Sequence, residues 1–263
     1  MSQAQWTAVD GYITDLLVMP DADLAHALQS SADAGLPTIA VAPNQGKLLQ
    51  LLARMTGARR ILEIGTLGGY STIWLARALA PDGTLITLES SVHHAAVARA
   101  NIASAGLSHC VEVRVGAALD SLPQLAAEGL GPFDFIFIDA DKPNIPEYFD
   151  WSVRLARRGS VIVVDNVIRE GHIVNANSTD SSVLGVRRFN AALSLDSRVD
   201  ATTLQTVGSK RYDGFTLAVV VADPWYQRVF VPYEHDETSP HSLVWSVPHG
   251  STGRCGNDRA HRT

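Results

Sequence analysis

The chain has 263 residues, 46% of them hydrophobic, a formal charge of −6 and two cysteines. That length and apolar content suffice for one substantial α/β core, and the acidic balance, with no Lys/Arg cluster, disfavours a large surface for nucleic-acid phosphates. Cys110 and Cys255 lie far apart without metal-ligand spacing, no charged-then-apolar leader opens the chain, and no run of about eighteen apolar residues occurs, so a cytoplasmic protein without disulfides, structural zinc or a membrane span is expected.

Before Arg60 the pattern is mostly helical, with Pro37 and Pro43 marking a loop ahead of a helix over about 45–56. From Arg60, short β-branched runs alternate with stretches in which Ala, Leu and Arg recur at helical spacing, the signature of a parallel sheet covered on both faces. Strands are predicted over 60–65, 84–89, 111–116, 133–139 and 159–165, separated by helices over 70–80, 92–105, 118–128 and 145–156. A loop rich in Asn, Ser and Asp at 175–182 precedes a helix near 183–194 and two strands, 201–207 and 214–222. Their short Gly- and Asp-containing link makes them a hairpin, so one of the two must run antiparallel to the rest. The expected architecture is an N-terminal helical segment (1–58), a doubly wound, Rossmann-like α/β domain (59–222) and an extension (223–263). The extension mixes Pro, His, Ser and Gly without an apolar period and is expected to pack loosely.

The first predicted strand runs into Glu63-Ile64-Gly65-Thr66-Leu67-Gly68-Gly69-Tyr70-Ser71, a Gly-rich turn before a helix, where a ligand can approach the backbone. Its glycines fall at 65, 68 and 69 rather than at the GxGxxG spacing that seats a pyrophosphate, which disfavours a dinucleotide and with it a nicotinamide oxidoreductase. Glu63 suits the ammonium end of an amino acid better than a phosphate. Glu89, closing the second strand, stands where a carboxylate accepts both ribose hydroxyls. Together they favour an adenosyl amino acid in a site that includes Gly65 and Thr66. Such a turn alone is equally well a tight connection; Glu89 at the strand end tips the balance.

Asp139-Ala140-Asp141-Lys142 closes one very apolar strand and Asp165-Asn166 closes the next. Ligands bind at the carboxyl edge of open α/β sheets, and the hard oxygen donors of Asp139, Asp165 and Asn166 suit magnesium, with manganese or calcium as alternatives, rather than zinc. One Asp at a strand end is as often a cap or turn residue; two on neighbouring strands reinforce each other. Lys142, three residues past Asp139, can reach the same cleft and take a hydroxyl proton, since a neighbouring cation favours its neutral form. The plainer expectation is a surface lysine paired with Asp141. The nine histidines form no HxxxH pair. Only His172, in the loop Arg169-Glu170-Gly171-His172, is a candidate for the pocket wall, and a solvated loop is the simpler expectation.

In order and spacing, LEIGTLGGYS at 62–71, FIDADKPN at 137–144, VDNVIREG at 164–171, the GVRRFN helix at 185–190 and the Tyr212-Asp213-Gly214-Phe215 step resemble the cation-dependent O-methyltransferases of the catechol and caffeoyl-CoA type, above all their bacterial branch. Across about 36–222 the resemblance implies a seven-stranded sheet with the last strand antiparallel, S-adenosylmethionine as methyl donor, usually a homodimer, and a vicinal dihydroxy aromatic acceptor, catechol-like or hydroxycinnamoyl. By position it implies metal ligation by Asp139, Asp165 and Asn166, Lys142 as the base, and donor contacts from Val41, Glu63, Gly65, Ser71, Glu89, Ala118 and Asp141. Asp141 then serves the donor, not the metal. Some bacterial relatives methylate a hydroxylated uridine in tRNA, an acceptor the negative charge disfavours. A non-catalytic adenosylmethionine-binding protein is disfavoured by the intact acid, amide and lysine set. Two departures stand out: Lys210-Arg211 replace a glycine common before the Tyr-Asp-Gly step, and the 223–263 extension has no counterpart.

Overall fold

The computed structural model describes residues 2–223; the expectations for 224–263, Cys255 among them, lie outside the described residues. Three helices come first, α1 (Gln3–Leu17), α2 (Ala22–Asp33) and α3 (Pro43–Met55). α3 begins two residues before the predicted start because Pro43 occupies its first turn, where a residue without an N–H loses nothing. The proline therefore starts the helix rather than ending the loop. Leu24 and Ala27 of α2 and Leu49 and Ala53 of α3 are buried in the same apolar cluster as Tyr70, Trp74 and Phe135, so this segment shares its core with the sheet.

The strands are β1 (Arg60–Ile64), β2 (Thr84–Glu89), β3 (Val111–Val115), β4 (Phe133–Ile138), β5 (Ala156–Asp165), β6 (Val199–Gly208) and β7 (Arg211–Val220). Between them lie α4 (Tyr70–Ala76), α5 (Val92–Ser104), α6 (Ala118–Ala127), α7 (Ile145–Arg154) and α8 (Ser181–Leu193). They form a seven-stranded sheet in the order β3-β2-β1-β4-β5-β7-β6. β7 pairs antiparallel with both β5 and β6, so the last strand is the reversed one, as the resemblance implied. Alternate residues of the central strands feed two apolar layers: Ile61, Phe135, Phe137 and Val163 on one face, Leu62, Ile64, Ile136, Ile138 and Val164 on the other. β4 is buried at every position, which is why it reads as a continuous apolar run rather than an alternation.

The element limits differ from expectation where the apolar signal is weak. β5 starts three residues early, through Ala156-Arg157-Arg158, and its register against β4 shifts between Phe133 and Phe135. β6 is exposed along most of its length, so alternation could not mark its ends. The hairpin link shrinks to Ser209-Lys210, with Arg211 at φ +77°. α4 stops at Ala76 rather than 80. No helix among the described residues is long and apolar enough to cross a membrane.

Candidate active site

Chain order reverses across the β1/β4 boundary, and the carboxyl ends of β1, β2 and β4 open onto a cleft of about 790 Å³. Its wall includes Val41, Gly65, Thr66, Ser71, Glu89, Ala118, Asp139, Asp141, Lys142 and Asn166. The other two residues expected to bind donor or metal, Glu63 and Asp165, stand behind that wall, 0% and 4% exposed.

Glu63 accepts hydrogen bonds from Ser71 Oγ (2.6 Å), Thr72 Oγ1 (2.5 Å) and Thr87 Oγ1 (2.7 Å). Burial pushes its carboxyl up to about 7, the three hydroxyls pull the other way, and the charge of Asp139 adds to the rise. The side chain that reaches the cleft is therefore Ser71, with Glu63 fixing it from behind. Thr87 faces Glu63 because β1 and β2 pair in that register; neither it nor Thr72 stood out in the sequence.

Glu89 braces the Gly-rich turn. Its Oε2 accepts from the backbone N–H of Thr66 (3.3 Å) and Leu67 (2.8 Å), and its Oε1 from that of Ser91 (2.9 Å). His94 Nδ1 lies 3.6 Å from Oε1 and its ring lines the cleft, although the histidine pattern gave it no role. Asn101 of α5, equally unmarked in the sequence, donates to the Gly68 carbonyl at 2.8 Å and accepts from Ser30 Oγ at 2.5 Å, tying the turn to α2. Gly65 sits at φ +101°, and a Cβ there would fall 2.0 Å from the carbonyl oxygen of Asp139. Only glycine permits that approach, so the donor turn and the acid cluster are packed back to back.

Lys142 is 8% exposed and donates from Nζ to Asp139 Oδ1 at 2.9 Å. The expectation of a surface lysine paired with Asp141 is overturned: Gly185 lets α8 press on the Lys142 backbone, where a Cβ would come within 2.2 Å of the Lys142 carbonyl oxygen. Asp141 instead accepts from Asn144 Nδ2 (2.6 Å) and Tyr148 Oη (2.5 Å). Burial, then the bond and charge of Asp141, hold the Tyr148 phenol well above its ordinary range.

Asp165 accepts from Gln45 Nε2 (2.6 Å) on Oδ2 and from the Asn166 backbone N–H (2.8 Å) on Oδ1. Burial first, then the charge of Asp139, push its carboxyl up; Lys142 and the two hydrogen bonds oppose this. Asp139, Lys142 and Asp165 thus share one electrostatic neighbourhood, with Asn166 on the wall beside them at φ +58°, a left-handed conformation that Asn tolerates. Among the described residues no three His, Cys, Asp or Glu side chains are grouped to hold an ion. Asp139, Asp165 and Asn166 would offer an ion two carboxylates and an amide, all oxygen donors of the kind hard divalent cations take.

The loop after Asn166 is fixed by Asp213, whose Oδ1 accepts from the N–H groups of Ile168 (2.9 Å), Arg169 (3.0 Å) and Gly214 (3.0 Å). His172 is exposed and is not on the wall; Arg169 of the same loop is, with Lys210, Thr38 and Ile39.

Sheet and cleft are those of a Rossmann-like methyltransferase. The model of the O-methyltransferase family matches residues 21–220. A catechol O-methyltransferase of Niastella koreensis is 57% identical over 220 residues, 84% of this chain and 100% of its own length. One of Mycobacterium tuberculosis is 54% identical over 212 residues, 81% and 94% of the two chains. The crystal structure of the O-methyltransferase from Bacillus cereus in complex with SAH aligns at a TM-score of 0.82 and 56% identity, covering 83% of this chain and 100% of that one. The chain belongs to the O-methyltransferase family, whose members are S-adenosylmethionine-dependent enzymes.

Proposed function

We propose that this chain moves the methyl group of S-adenosylmethionine to one hydroxyl of a vicinal dihydroxy aromatic, catechol-like or hydroxycinnamoyl, and that Asp139, Asp165 and Asn166 hold the divalent cation, magnesium first, that this transfer needs. The observation carrying the reading is the crowding of Asp139 and Asp165. Asp139 on the cleft wall and the buried Asp165 behind it share the charge of one lysine, and burial and the charge of Asp139 disfavour the negative charge on Asp165. An oxygen-seeking divalent ion removes that penalty. When bound, the ion would supply positive charge that favours the ionised hydroxyl.

The chain's own residues do the remainder. Ser71, held by Glu63, receives the amino-acid end of the donor; Glu89 receives the ribose hydroxyls; Val41, Gly65, Thr66 and Ala118 shape the donor cleft, and Asp141, fixed by Asn144 and Tyr148, contacts the donor. Lys142 Nζ, as the neutral amine, takes the hydroxyl proton and becomes an ammonium that can pair with Asp139. The oxygen lone pair forms the new O–C bond as the C–S bond breaks with its electron pair staying on sulfur, leaving S-adenosylhomocysteine and a methyl ether. Most of the rate gain in such a displacement comes from proximity and alignment.

A homodimer belongs to the same reading. α1 packs on β6 and α3, and these elements expose Tyr12 (68%), Leu16 (60%), Leu17 (69%), Met55 (82%) and Val207 (50%), apolar surface that a second copy could cover. The enzymatic claim is tested with catechol and labelled donor in magnesium, with and without excess chelator. Methylation is expected to vanish with chelator and return with added magnesium; undiminished transfer in chelator contradicts the proposal.

A further inference from the structure

We infer that the acceptor carries a carboxylate and that Arg169 and Lys210 bind it. The inference rests on the vicinal-diol reading and adds a second anchoring point to it.

The acids on the cleft wall, Glu89, Asp139 and Asp141, are accounted for by donor and ion, and Lys142 is paired with Asp139. Arg169 and Lys210 remain. Arg169 is the less satisfied. The nearest carboxylate oxygen, Asp213 Oδ2, is 4.0 Å from its Nη1, and the other oxygen of that group already accepts from three backbone N–H groups. Asp180 is close enough to feel the charge of Arg169, but it caps α8 through the N–H groups of Ser182 and Val183. Arg169 Nε is buried and has no acceptor among the described residues, a state that is costly unless something satisfies it. Lys210 is exposed, and its ammonium donates to the Thr38 carbonyl at 3.3 Å, with no carboxylate within 4.0 Å among the described residues.

The backbone holds both in place. Arg169 and Glu170 lie at φ +53° and +55°, left-handed values that side-chain-bearing residues adopt at a cost, and Asp213 accepts from the Arg169 N–H there. Arg169 comes three residues after the candidate ligand Asn166. Lys210 occupies the two-residue link between β6 and β7 and reaches across to Thr38, which with Ile39 also lines the cleft. Two segments far apart in the chain thus bring cationic groups to the wall that carries Asn166. An incompletely paired guanidinium in a half-buried site is matched by a planar carboxylate, whose two oxygens take its fork of donors. A cleft of about 790 Å³ that also houses the donor favours a single-ring acid over a bulky thioester.

The test is calorimetric titration of the magnesium-loaded protein with S-adenosylhomocysteine present, so that nothing turns over, comparing 3,4-dihydroxybenzoate with its methyl ester. The acid is expected to bind about 10-fold more tightly, a gap of one charge-assisted pair. Arg169→Gln and, as a second variant on an exposed site, Lys210→Gln are each expected to narrow that gap, and in turnover assays to raise KM for the acid more than they lower kcat. Equal affinity for acid and ester in the wild type overturns the inference and leaves the diol reading standing. Equal weakening of both ligands by both variants overturns it too, since the residues would then only support the loop. Failure of acid and ester alike to bind sinks the diol reading together with this one.

Discussion

Strand β4 carries an acid near each end, and the fold treats the two in opposite ways. Asp134, at the amino end, accepts four hydrogen bonds: from the N–H groups of Arg59 (2.8 Å) and Arg60 (2.9 Å) and from Arg157 Nε (3.0 Å) and Nη2 (2.6 Å). Burial opposes its ionisation, but these donors win and hold its carboxyl below the ordinary range. At the carboxyl end Asp139 has, among the described residues, Lys142 alone as a charged partner and crowds Asp165, which is pushed the other way. An acid whose every lone pair is matched serves the structure; acids crowded with too few cations mark a place where the protein gives up stability to receive a ligand.

Substitutions at the two ends should behave differently. The largest effect is expected at the carboxyl edge, where Asp165→Asn should lower kcat/KM by roughly 10²–10³-fold, the scale of losing electrostatic stabilisation in a transition state. Its melting temperature should hold or rise, because a buried repulsion is removed; a large fall in stability would make Asp165 a structural acid after all.

Glu63 comes next. Its carboxyl is raised from 4.5 to about 7 on folding, so between those values the folded chain binds the proton that the unfolded chain has released. Stability should therefore fall as pH rises through that window, by at most about 3 kcal/mol. Denaturant melts of Glu63→Gln from pH 4.5 to 7 should show a flatter profile than wild type; an unchanged slope would contradict the assignment. Smallest is Asp134→Asn, expected to cost about 2 kcal/mol because Arg157 is half exposed. It should leave kcat and KM per folded molecule unchanged, and a kinetic defect at that distant edge would blur the division between the two ends.

Much of this was legible in the sequence, and the rest was hidden for physical reasons. Apolar runs ending in Asp139 and Asp165 announce parallel strands and the edge where ligands gather, and the Gly65 turn follows from its glycines. Gln45 could not be found, because an amide in the first turn of a helix looks like surface until folding brings it 2.6 Å from Asp165, 120 positions away. Asn101 and Tyr148 were missed for the same reason: each acts on one group reached only through packing. In the loop after Asn166, His172 is exposed, as the simpler expectation of a solvated loop has it, while Arg169 lines the cleft. Which side chain turns to the cleft there goes with the positive φ of Arg169 and Glu170 and with Asp213, from another strand, holding the Arg169 N–H, and not with residue type.

The central claim is that Asp139, Asp165 and Asn166 share one divalent ion, and manganese titration followed by electron paramagnetic resonance tests it without recourse to activity. The wild type should bind a single ion that magnesium displaces, and Asp139→Asn and Asp165→Asn should each weaken binding about 10-fold or more. Manganese binding of undiminished strength in both variants, or none in the wild type, would contradict the account.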